Sequence, residues 1–207
     1  GKRGNFEVKS ICVIQMQLTD EEEKEKWIMT INQKNLLEEW TSLKCSEIVF
    51  DSNVDDWNKD TSVLNEKIIG KKQLAFVIED DDGEIFGYYC NHQIIEEYGW
   101  MNEQQTDKNS FHFNLQSKNN RLSKPMKFEI KDLKKGGIEF WEKSDDWLMR
   151  LGDIYLMKEN YKNECCCKPN SFEYPKGKEN ILTGKIGEKN FFEVKRIIVI
   201  QMYEIEE

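Results

Sequence analysis

Three groups of side chains in this chain of 207 residues have types and spacings suited to chemistry. The first is the run Cys165, Cys166, Cys167, with Lys168 directly after it. A tetrahedral zinc site wants ligands two to four residues apart, usually arriving as two pairs. No second cysteine pair exists, and His92 and His112 are the only histidines. The run reads either as free thiols in a loop or as a redox site, in which a thiolate beside Lys168 has a lowered pKa. The second group is Asp55-Asp56-Trp57 with Asp145-Asp146-Trp147. Paired carboxylates beside an aromatic platform are the equipment of glycoside hydrolysis. Adjacent residues point apart, however, and turn-forming aspartates beside a packed tryptophan explain the same letters. The third is the acidic run from Glu79 to Glu84 around Gly83. With Gly83 as the sixth residue of a calcium loop, Ile78 takes the first ligand position and has no oxygen to offer. The run therefore reads as a solvated hairpin tip, with a weak cation site as the alternative. Serine–histidine nucleophile, phosphate-loop and dinucleotide glycine motifs are all missing. The expectation is a protein with no catalytic, cofactor or metal residues.

Composition bounds the partners. The formal net charge is -9, and the basic residues form pairs such as Lys71-Lys72 and Lys134-Lys135 rather than a patch. Nucleic acids and anionic membranes call for a basic surface, so neither is expected as a partner. The large aromatic rings, Trp 6, Tyr 7 and Phe 11, exceed what a solvating disordered chain carries. Six cysteines without a framework spacing, no glycosylation acceptor and no long apolar run point to the cytoplasm. The opening Gly1-Lys2-Arg3-Gly4 is not signal-like and reads as a processed, excised or engineered start.

The elements that must position these residues begin with an internal repeat. Residues 5–16 read NFEVKSICVIQM and residues 191–202 read FFEVKRIIVIQM. Both have the β-branched run of a strand buried on two faces, and nothing between them is repeated. Thr19 and Glu22 make a capping box for a charged helix whose apolar positions are Trp27, Ile28, Ile31, Leu36, Leu37 and Trp40. That helix either docks on the domain's own core or serves as a linker or partner-binding helix. A short strand ends at Phe50, and a helix over 62–70 is expected to start at Ser62 and stop at Gly70. The apolar runs on either side of residues 80–83 predict a hairpin turning at Asp82-Gly83. Further strands are expected over 110–115, 127–130, 138–141, 154–157 and 192–202. The predicted fold is α+β but mostly β, an antiparallel β-sandwich with flanking α-helices.

In order along the chain, these segments resemble the TLDc domain family. The resemblance rests on Ile48, Val49, Phe50, Asp51 and Ser52, the Asp56-Trp57 turn, and the hairpin with Asp80, Gly83, Phe86 and Gly87. It continues through the Ser110-Phe111 strand, the Gly152-led strand, Cys167 with Ser171-Phe172, and the closing strand. It covers residues 36–203; residues 1–17 resemble the closing strand of a preceding copy, 18–35 a charged helix or linker, and 204–207 a tail. The resemblance implies a non-catalytic protein-interaction domain with roles in oxidative-stress protection and, in several eukaryotic members, regulation of the vacuolar ATPase. No catalytic site comes with it. Two departures indicate a divergent, protist-like branch: EKSDDWLMRL stands where a glycine-rich stretch is usual, and Gln201-Met202 replaces an aromatic–tryptophan ending. These departures weigh against binding to the vacuolar ATPase itself. The alternatives are a carbohydrate- or small-ligand-binding sandwich using Trp57, Trp100, Trp141 and Trp147, and a thiol-based antioxidant using Cys165, Cys166 and Cys167. The repeated strand adds the expectation of a strand-exchanged homo-oligomer, against the readings of a remnant or an engineered addition.

Overall fold

The computed structural model describes residues 19–95, 107–118, 122–175, 181–183 and 190–204. The first copy of the repeated strand and Trp100 lie outside the described residues. Helices α1 (Asp20–Trp27) and α2 (Ile31–Thr41) come first, then β1 (Lys44–Asp51) and the short α3 (Leu64–Ile68). The strands β2 (Leu74–Asp80), β3 (Ile85–Cys90), β4 (Phe111–Gln116), β5 (Met126–Glu129) and β6 (Ile138–Phe140) follow. The chain ends with β7 (Trp147–Leu151), β8 (Ile154–Met157), a 3₁₀ segment (Glu159–Glu164), β9 (Cys165–Cys167), β10 (Phe191–Phe192) and β11 (Val194–Tyr203). They form two antiparallel sheets, in the orders β1-β11-β2-β3-β4-β5 and β10-β9-β8-β7-β6. The expected mostly-β sandwich with flanking helices is the fold.

Side-chain alternation builds the layers. Along β2, Leu74, Phe76 and Ile78 face the second sheet, whereas Ala75 and Val77 face the helices. On β4 the polarity of the pattern reverses: Phe111 and Phe113 join the helix-side core, and His112 sits between the sheets. Strand β11 contributes to both cores, with Ile197 and Val199 on one side and Ile198 and Ile200 on the other. All four are fully buried.

Local chemistry fixes the turns. Between β2 and β3, Asp80 Oδ1 accepts the Glu84 amide at 2.9 Å, and Gly83 takes φ 78°. At Gly87 the reason for glycine is space: a Cβ would lie 1.9 Å from the Phe76 carbonyl oxygen and 2.7 Å from the Phe113 ring.

Several expectations change. The charged helix is two helices, because Ile28 takes φ 62° and Thr30 starts a second capping box with Gln33. Trp27, Ile28, Met29 and Leu37 are buried on the outer face of the six-stranded sheet, so both helices dock on the domain's own core. Helix α2 also runs through the boundary drawn between residues 35 and 36. Helix α3 starts from Val63 rather than Ser62 and spans five residues. Strands β7 and β9 were not expected, and the cysteine run lies in a strand, not a loop. The closing strand divides, with β10 in one sheet and β11 in the other.

Gly87→Ala should cost at least about 3 kcal/mol, since backbone and a packed ring block the new methyl from both sides. Urea denaturation followed by tryptophan fluorescence measures the loss.

Candidate functional site

The residues that carry the family resemblance are absorbed into the framework. Phe50 and Phe86 are core side chains, and Phe86 meets Phe192 edge-on at 5.3 Å. The Asp51 carboxylate receives two bonds from Arg196, at 3.0 and 2.6 Å, tying the end of β1 to β11. Burial acts to raise the Asp51 carboxyl, but the Arg196 pair and the Asn53 amide outweigh it and hold it below the ordinary range. Ser52 extends the ladder by accepting the Ile197 amide at 2.8 Å. Asp80 and Gly83 close the hairpin, and Phe111 packs among Trp40, Tyr89 and Phe113. Gly152, at φ 58°, leaves room for Phe172, whose ring would stand 2.5 Å from a Cβ.

Beneath Gly152 is a buried polar chain. His112 Nε2 lies 2.8 Å from the Leu151 carbonyl oxygen, which can only accept, so Nε2 carries the proton. Its Nδ1 is 2.7 Å from Tyr174 Oη, and that hydroxyl lies 3.2 Å from Asp153 Oδ2. The Tyr174 hydroxyl keeps its proton and stands between two acceptors, Nδ1 of neutral His112 and Asp153 Oδ2. Asp153 keeps the amides of Asn170 and Ser171, and Phe172 stacks on the imidazole at 3.7 Å. Burial pushes the His112 pKa down to about 4. A histidine with no exposed surface, sealed by a ring, braces the two sheets.

The aspartate–tryptophan pairs approach one another, and the carboxylates of Asp55, Asp56 and Asp146 are engaged. Asp55 binds Lys67 and the Asp51 amide, Asp56 caps Asn58, and Asp146 binds Lys59 at 2.8 Å. The ammonium of buried Lys158 gathers the carbonyls of Glu142, Lys143 and Asp145 at 2.6–2.7 Å and organises the loop between β6 and β7. Trp57 and Trp141 are buried; Trp147, which is half-buried, lies 5.8 Å from Trp141. Among the described residues, Asp80, Asp81 and Asp82 form the one group of three liganding side chains, at the hairpin tip.

The candidate site is the outer face of the five-stranded sheet. Directly paired residues form a row across it: Glu139 on β6, Arg150 on β7, Tyr155 on β8, Cys166 on β9 and Phe191 on β10. Glu139 and Arg150 are ion-paired at 3.2 Å, and Lys168 Nζ stands 4.8 Å over the Tyr155 ring. At the β10 end a cleft of about 380 Å³ opens, with Trp147, Met157, Cys166 and Phe191 as its apolar lining and Glu164, Lys168 and Asn190 as its polar one. Phe191 is 44% exposed. Alternation along β9 turns Cys165 and Cys167 into the core and Cys166 toward the cleft. The lowered thiol pKa expected near Lys168 does not occur. Burial raises all three, Cys165 to about 12, and at Cys166 it outweighs the opposing Lys168 charge. The sequence reading missed this row because the short β7 and β9 went unrecognised; the outward residues of β7, Trp147 and Arg150, stand three apart across a bulge, so no period of two marked the strand.

Stability should fall on acidification through the buried histidine. Unfolded His112 titrates near 6.5 and folded His112 near 4, so in that window only the unfolded chain gains the proton. The contribution is fully present above about pH 6.5 and declines toward pH 4. Between pH 7 and pH 5 it amounts to about 2 kcal/mol, and the loss measured by urea unfolding should shrink in His112→Gln.

No protein-family model matches this chain, and a search of the curated proteins returns no match.

Proposed function

We propose that this chain is a non-catalytic, TLDc-like protein-interaction domain that receives its partner on the outer face of the five-stranded sheet. The observation that carries the reading is the exposed Phe191 beside the Trp147–Met157–Cys166 cleft, rimmed by Glu164, Lys168 and Asn190. Large apolar anchors surrounded by polar groups are the usual anatomy of a binding hot spot. Asp55, Asp56 and Asp146 are engaged in ion pairs and a cap, and His112 in a sealed core network. The family resemblance adds an oxidative-stress setting and offers vacuolar ATPase subunits as partners, although the departures at 142–151 and 201–202 weigh against the latter; the unframed cysteines favour the cytoplasm. Among the described residues no helix is long and apolar enough to cross a membrane.

Capture from a cell lysate, with the wild-type chain and Phe191→Ala as parallel baits, tests this. Wild-type bait should recover a reproducible protein partner, and Phe191→Ala should recover it at least tenfold less well. Failure to recover any reproducible partner, or equal recovery by both baits, removes the reading.

Thiol chemistry is the second reading, favoured by one observation: Cys166 alone of the three faces the cleft. N-Ethylmaleimide applied to the native protein should label Cys166 ahead of Cys165 and Cys167, and more slowly than a free thiol because burial suppresses the thiolate. Peptide mass spectrometry reads the order. Peroxide consumption unchanged by replacing all three with serine ends this second reading.

The sugar-binding alternative loses its aromatic groove, since Trp57 and Trp141 are in or beside the core and only Trp147 of the described tryptophans borders the cleft.

A further inference from the structure

Set on the register of β10 and β11, the repeat at residues 5–16 keeps the residues that the fold needs at that place. Seven side chains of residues 191–202 are buried: Phe192, Val194, Ile197, Ile198, Val199, Ile200 and Met202. The N-terminal copy is identical at six of them, with Phe6, Val8, Ile11, Val13, Ile14 and Met16, and places Cys12 against the seventh, Ile198. The polar positions that bind neighbours are kept as well. Lys195 pairs with Glu79, Glu193 with Lys162, and Gln201 donates to the Lys72 carbonyl; the copy has Lys9, Glu7 and Gln15. Besides Ile198, the differences fall on Phe191, which is exposed, and on Arg196, where the copy has Ser10. A strand under no demand to fit would not change only at an exposed position, one ion pair and one small apolar swap.

We propose that residues 5–16 are a second closing strand, competent to take the place of β10 and β11 in the sheets of a second copy of this chain. Reach favours another molecule over the same one. Glu21 and Glu25 line a cleft with Asn53, Glu79, Lys195 and Arg196, so α1 lies over the N-terminal end of β11. Arg196 also donates to the carbonyls of Glu25 and Lys26. Met16 would have to reach the position of Met202, about 20 Å along the strand from Arg196. The three steps from Met16 to Thr19 span at most about 11 Å. Within one chain the short tether from α1 hinders entry into the slot; between chains no such tether applies. The resident strand holds its own slot through the bidentate Arg196–Asp51 pair, which Ser10 cannot make.

The test uses full-length variants. Arg196→Ser removes the resident strand's advantage and should give a concentration-dependent dimer by sedimentation velocity, which additional Ile11→Asp and Val13→Asp should return to monomer. Ile197→Asp with Val199→Asp disables the resident strand; this variant should still unfold cooperatively, with a midpoint that rises with protein concentration. Adding Ile11→Asp and Val13→Asp to it should abolish the transition. The proposal is overturned if Arg196→Ser sediments as the wild type at every concentration and the Ile197/Val199 variant is unfolded whether or not residues 11 and 13 are intact.

Discussion

Strand β11 is buried on both faces in the middle of the six-stranded sheet, between β1 and β2, and the other layers are arranged around it. Its alternating side chains supply Ile197 and Val199 to the core between the sheets, and Ile198, Ile200 and Met202 to the core under the helices. A strand with no solvated face has to be covered twice, which is why an antiparallel domain of this size carries a helical layer on one side and a second sheet on the other. The bidentate pair between Arg196 and Asp51 then locks the register of β11 against β1 at the point where the chain enters the sheet. On the other edge of β11, the ladder with β2 shifts by one residue between Val194 and Arg196, so the bulge and the ion pair fall on the same few residues.

This arrangement explains why side chains that look chemical in the sequence are structural in the fold. Asp51, Asp55 and Asp56 end a strand, pair with Arg196 and Lys67, and cap a turn. His112 projects from a strand whose neighbours Phe111 and Phe113 face the helices, so it must enter the space between the sheets. There it is tolerable only when neutral and hydrogen-bonded at both nitrogens, and Leu151 and Tyr174 provide those partners. Gly152 is glycine for the same packing reason, since any side chain would collide with the Phe172 ring stacked on that histidine.

The long strands and the hairpin were legible because several local signals agree there. Apolar alternation, Asp82-Gly83 and the flanking β-branched residues all point to one conformation. The opposite face of His112 followed from its aromatic neighbours by the same period of two. Where signals conflict, the reading failed. The helical stripe through Trp27, Ile28 and Ile31 hides the break at Ile28, whose positive φ is imposed by burial of Trp27, Ile28 and Met29 together. Strand β9 is three cysteines, with too few residues to show alternation. Its cleft-facing thiol emerges only from pairing with Tyr155 and Phe191. The division of the closing strand was equally hidden, because FFEVKRIIVIQM contains no glycine or proline to mark a crossing between sheets.

That crossing joins the candidate docking face to the core. Phe191 points out beside the cleft, while Phe192, its neighbour in β10, packs inward on Phe86. Glu193 alone separates β10 from β11. Strand β10 is held to β9 by two residue pairs, whereas β11 is paired along both edges. A partner gripping Phe191, as proposed, would act on a two-pair edge of the second sheet, next to the anchor Phe192. Adjustment at the proposed docking face would fall on the short β10 edge, while the Arg196–Asp51 pair and pairing along both edges hold β11.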